Sequence, residues 1–150
     1  NQGLQIPISE RYTEKVKNSY FYITNEFLKK NSNKKYFIKN PPPSVLCNKE
    51  DLLMTRTGNT GQVVTGVKGA FHNNFFKIKY DKSKCNRLFL YYFLVMPRTQ
   101  HLILRLAGTS TIPDLNHGDF YKIKIFLPSL PEQQKIASFL SAVDERIKIL

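Results

Sequence analysis

Cysteine is scarce in this chain of 150 residues: Cys47 and Cys85 are the only two. Two cysteines without metal-ligand spacing make neither a disulfide framework nor a zinc site, so a reducing cytoplasm is the expected setting, with one lone disulfide as the minor alternative. Long apolar runs are missing as well. None approaches the ~18 residues of a membrane span, and the opening NQGLQIPISERY lacks the apolar stretch of a signal peptide. No membrane partner is expected. The hydrophobic share of 41% and aromatic share of 13% exclude a disordered chain.

Catalytic constellations are absent too. Asn40-Pro41-Pro42 is close to the Asn-Pro-Pro-aromatic loop of DNA amino-methyltransferases, but Pro43 stands where the aromatic ring would stack on a flipped base. No Gly-rich turn follows an opening strand to hold an adenosyl cofactor. A metal-dependent nuclease needs clustered carboxylates with a lysine. Asp114, Asp119 and Lys122 are near in sequence, but if Lys122 opens a strand the D-x-x-K spacing puts Asp119 and Lys122 on opposite faces. His72, His101 and His117 show no paired metal spacing, and no G-x-S-x-G elbow exists. We therefore expect no catalytic residue, no metal and no cofactor of the chain's own.

Acidic residues are the last deficit, and an uneven one. Residues 1–105 hold 18 Lys and Arg against 6 Asp and Glu, whereas residues 106–150 hold 5 of each. The net charge of +12 thus belongs to the body of the chain. A basic body and a neutral tail suggest a polyanion for one and protein for the other, against the plainer possibility of a merely soluble basic protein.

The expected elements begin with a strand at 19–24 and a short one at Phe37–Ile38, joined by a Lys-rich turn. Pro41-Pro42-Pro43 forces an extended stretch that cannot donate ladder hydrogen bonds. Strands follow at Leu52–Thr55, Gln62–Thr65 and Phe75–Ile78, with Gly-bearing turns at 58–61 and 66–69. The period then changes. Residues 83–97 read as a buried helix ending at Pro97, and Thr99–Leu106 as a second, stopped by Gly108. Ile123, Ile125 and Leu127 alternate along a strand at Lys122–Leu127. Ser129 and Glu132 have capping-box spacing with Pro131 in the first turn, which opens a final helix.

Two loops and one seam carry the candidate contacts. Lys29, Lys30, Lys34 and Lys35 flank a polar turn and, with Lys68, suit DNA phosphates. In TRTGNTGQV, Arg56, Thr57 and Asn59 stand among glycines that permit close backbone approach, which suits base edges. Each group is also what a solvated turn looks like. In the last helix Ile136, Leu140, Val143, Ile147 and Leu150 are spaced 4, 3, 4 and 3, the seam of a coiled coil that wants a partner helix.

The stretches DLLMTRTGNTGQVV and GTSTIPDLNHGDFYKIKIFLPSLPEQQKIASFLSAVDERI together resemble the target-recognition domain and following conserved helix of specificity subunits of Type I restriction-modification enzymes. Gly108, Thr109, Ser110, Asn116, Leu127, Pro128, Pro131, Glu132, Gln133, Ile136, Leu140 and Asp144 match the second pattern. Arg56, Thr57, Gly58 and Gly61 match the first more weakly. The resemblance implies a non-catalytic DNA reader, one of two recognition domains in a subunit that addresses a bipartite target. It implies a methylating subunit that holds S-adenosylmethionine and modifies adenine, a restriction subunit that can join, and a second recognition domain or second copy through the helix.

The expected fold is therefore α+β: a mixed, partly barrel-like β-sheet domain with short helices over residues 1–128, and a protruding coiled-coil helix beginning at 129–150. The expected function is sequence-specific recognition of double-stranded DNA. The competing reading is a basic protein-interaction module that oligomerises through its heptad helix.

Overall fold

The computed structural model describes residues 2–150. The described residues form seven strands and four α-helices. The strands are β1 Ser19–Ile23, β2 Tyr36–Lys39, β3 Leu46–Cys47, β4 Leu52–Thr55, β5 Val63–Thr65, β6 Gly69–Phe71 and β7 Phe75–Lys77. The helices are α1 Arg87–Val95, α2 Pro97–Ala107, α3 His117–Phe120 and α4 Leu130–Ile149.

The strands divide into two sheets, ordered β2-β1-β6-β3 and β5-β4-β7. All pairs are antiparallel except β1 with β6. The fold is mixed α+β as expected, with two separate sheets and no closed barrel among the described residues. Strands of two to five residues offer too little length to tilt and close on one another. The β6–β7 turn instead sends consecutive strands into different sheets.

Period-two alternation explains the layers. On β4, Leu53 meets Ile23, Cys47, Phe71 and Phe75 between the sheets. Its neighbours Leu52 and Met54 face the helices and meet Phe76, Leu94 and Ile103. β4 is thus buried on both faces, as its unbroken apolar Leu-Leu-Met requires. On the outer face of the four-stranded sheet, Tyr22, Ile38, Val45 and Ala70 are covered by Leu4 and Ile6 of the N-terminal segment. That segment runs close: a Cβ on Gly3 would collide with the carbonyls of Phe71 and His72. The two cysteines are free, buried thiols in separate clusters.

β1, β2, β4, β5 and β7 fall close to where residue patterns place them. β3 and β6 do not, being two and three residues long. The first helix starts at Arg87 rather than 83 because the Asn86 side chain accepts from Phe89 N–H at 3.0 Å and caps it there. It ends at Val95, and Pro97 opens α2. Gly108, at φ 87°, ends α2 in a conformation suited to glycine.

The strand expected at Lys122–Leu127 is absent. Ile123 and Ile125 do pack against the helical core, but the backbone joins no ladder. Alternation reports a buried face, and a face can be buried without a strand partner. Asp119 and Lys122 are likewise not on opposite faces. They sit three apart on a helical turn and form an ion pair at 2.8 Å.

Candidate nucleic-acid interface

The Lys-rich segment is the tip of the β1–β2 connection. Thr24 caps a 3₁₀ turn at Asn25–Leu28, and the chain then loops out over residues 29–35 before β2 begins. Glu26 organises this loop, accepting from Lys29 Nζ at 2.9 Å and from the Ser32 hydroxyl at 2.6 Å. Those bonds hold its carboxyl below the usual carboxylate range. Lys29 is therefore partly neutralised. Lys30, Lys34 and Lys35 are exposed, with no carboxylate at ion-pair distance among the described residues.

The TRTGNTGQV segment closes the β4–β5 hairpin. Buried Thr55 organises it: its hydroxyl donates to the Asn59 carbonyl at 2.6 Å and accepts from Gln62 N–H at 2.8 Å. Gly58, Asn59 and Gly61 all adopt positive φ, which glycine and asparagine tolerate best. At Gly61 a Cβ would press on the Gln100 and Ile103 side chains at 3.1 Å. Its absence lets the turn lie against α2, where Gln100 Nε2 donates to the Gly61 carbonyl at 2.8 Å.

Sequence separation hides the central feature. The Asn25 amide donates to the Gly58 carbonyl at 2.9 Å, tying the lysine loop to the β4–β5 turn. A third loop joins them, because Thr60 donates to the Pro113 carbonyl at 3.1 Å. Arg56 makes a two-pronged pair with Asp114, at 2.9 and 2.7 Å. Loops around 25–35, 56–62 and 108–116 therefore form one edge of the molecule. Asn25 carries no chemical motif, and Asp114 stood out only as a carboxylate weighed for a metal site, so the residue pattern marked neither as a tie between loops.

This geometry redistributes the expected contacts. Asp114 engages Arg56 through Nε and one N–H of Nη2, so the pair braces two loops while the remaining guanidinium donors make no hydrogen bond to the described residues. Thr57 donates to the Asn74 Oδ1 at 3.0 Å, while Asn59 stays exposed. Lys68 stands apart from the others: it precedes β6, which runs parallel to β1, so it sits at the sheet end opposite the lysine loop. Two polar atoms are buried without partners at the loop edge, Asn25 Oδ1 and His117 Nε2. Burial and the nearby Arg56 charge both lower the His117 pKa.

The last helix uses two faces. The capping box forms, with Glu132 accepting from the Ser129 N–H at 2.9 Å and its hydroxyl at 2.6 Å. Buried Gln133 and Ala137 then dock α4 on the body, and Tyr92 reaches Asp144 at 3.0 Å. The seam residues Ile136, Val143, Ile147 and Leu150 remain exposed, and Leu140 is half-buried at the border of the two faces.

A family model described as the type I restriction modification DNA specificity domain matches residues 4–150. The chain belongs to that family. The type I restriction enzyme MjaVIII specificity subunit of Methanocaldococcus jannaschii is 31% identical over 135 residues, covering 89% of this specificity domain and 31% of its own length. The solved S subunit of a type I restriction-modification system from M. genitalium superposes with a TM-score of 0.68 at 22% identity, over 99% of this chain and 37% of that one. A chain from a structure concerned with complex assembly and conformational transition of the type I R-M system gives 0.73 at 18%, over 99% and 36%. This specificity domain therefore spans about a third of the length of the relatives it matches. No helix among its described residues is long and apolar enough to cross a membrane.

Proposed function

We propose that this chain reads one half of a bipartite site in double-stranded DNA, as part of a type I specificity subunit in the cytoplasm. The observation that carries the proposal is the Asn25–Gly58 tie, which sets three free lysines beside a neutral, glycine-shaped loop. Lysines neutralise phosphates and fix register, and neutral amides and hydroxyls discriminate bases. The chain itself performs no chemistry on this reading. It directs a methylating subunit, which holds S-adenosylmethionine and modifies adenine, and a restriction subunit that can join.

The exposed seam of α4 supports a protein partner as well. Beside it lies an apolar groove formed by Phe89, Phe93, Met96, Ile136 and Leu140. A second recognition domain, or a second copy of the chain, would supply the facing helix. An alternative in which the whole basic body docks an acidic protein predicts a complex that DNA does not displace. The test is selection from random duplex DNA, with and without the methylating subunit, across a salt series. Enrichment of a short motif with salt-dependent affinity is the expected result. Salt-insensitive binding with no motif would leave only the protein-docking alternative.

A further inference from the structure

Between the β4–β5 turn, α2 and the 111–113 loop lies a cleft of about 500 Å³. Its lining contains no ionisable side chain, although the chain carries +12 overall. Three amides, Asn59, Gln62 and Gln100, and two hydroxyls, Thr60 and Thr111, line it with Leu104 and Ile112. Gln100 is committed, donating to the Gly61 and Leu94 carbonyls at 2.8 Å each. Thr60 is committed to Arg56 and Pro113. The side chains of Asn59 and Gln62 are exposed and make no hydrogen bond to the described residues. Ile112 is 70% exposed and Leu104 48%.

The walls are braced from outside by the Arg56–Asp114 pair and by the Thr60–Pro113 bond. The phosphate-binding charge sits next door, on the loop that Asn25 ties to Gly58. A fixed, uncharged cleft with two free amides and two exposed aliphatic side chains has the chemistry of one base-pair step. Asparagine and glutamine donate to adenine N7 and accept from its N6 amine, and aliphatic groups pack on the thymine methyl. Guanine, by contrast, is read chiefly by arginine or lysine, and this cleft holds neither.

We propose that this cleft is where the chain reads an adenine–thymine pair, with Asn59 and Gln62 on the adenine edge and Leu104 and Ile112 against the thymine methyl. The inference rests on the DNA-reading proposal above. Gln62→Ala removes one amide from an exposed position. Asn59→Gly removes the other and keeps the positive φ. Ile112→Ala trims the methyl contact.

The full chain and each variant, with matched thermal unfolding, are put through selection and sequencing of bound duplexes. The wild-type motif should contain an A·T pair whose discrimination falls about ten- to hundredfold in Gln62→Ala and Asn59→Gly. Ile112→Ala should weaken the same position, and the salt slope should be unchanged in all three. Variants that keep the motif intact would overturn the cleft assignment while leaving DNA reading in place. A uniform loss across all sequences would also overturn it. A wild-type chain that enriches no motif would instead bring down the DNA-reading proposal itself.

Discussion

Single residues decide how the helical tail is attached. Gln133 is fully buried, and its amide spans three backbone groups: it accepts from Asn86 N–H at 2.7 Å and donates to the Lys84 and Pro128 carbonyls at 2.9 and 2.8 Å. Gln133→Ala strips all three part-buried backbone groups of this partner. The expected cost is about 3 kcal/mol in urea unfolding; a loss below about 0.5 kcal/mol would show that this anchor is incidental. His72 sets a pH limit. Burial, aided by the Arg11 charge, lowers its pKa to about 4. A depressed histidine is neutral in the folded state, so its share of stability is complete above about pH 6.5 and drains away as pH falls toward 4. Between pH 7 and 5 the wild type should lose about 1–2 kcal/mol more than His72→Gln. Parallel pH profiles of the two proteins would refute this. Neither role was legible in the sequence, because two of the three Gln133 partners lie 47 and 49 positions away and the His72 shift comes chiefly from desolvation.

At the scale of elements, legibility followed the strength of the local signal. α4 was readable because a capping box, an early proline and a long periodic run agree. β4 and β7 were readable from dense apolar and β-branched runs between turns. β3 and β6 were not, since their pairing comes from β1 and from one another across long separations. The expected strand at 122–127 failed for the opposite reason: its pattern was clear, and no sheet edge received it. The seam was legible, but which face meets the body was not. Ile147 lies 62% exposed, beyond the docked turns. Ile147→Asp should shift unfolding by less than about 0.5 kcal/mol while abolishing association seen by sedimentation. Leu140→Asp should do both, losing association and also stability, since Leu140 borders α1.

For the whole molecule, the distribution of charge matters more than its total. Seven basic side chains are spent on ion pairs among the described residues, including Lys77 and Lys82 on Asp51. The lysine loop keeps Lys30, Lys34 and Lys35 free. Replacing Lys34 and Lys35 by alanine should reduce the slope of log affinity against log salt by about 1.8. Lys68→Ala, at the opposite sheet end, should leave the slope unchanged. Equal effects from both would mean that DNA, if bound, spreads over the body without using the loop edge. Clustered lysines were visible in the residue pattern, but the end of the sheet they occupy depends on the parallel β1–β6 register.

The turn at His72–Asn74 joins two sheets, and it divides tolerance for lengthening unevenly across the chain. Phe71 and Phe75 must both enter the layer between the sheets from either side of it. One residue inserted there would turn the next strand over, exchanging Phe75 and Phe76 between two cores. The 29–35 loop closes only onto Glu26 and the Asn25 tie, so added residues there extend outward and leave the layers alone. The scaffold can accept new loop lengths at its basic edge while its internal hinge between sheets stays of fixed length.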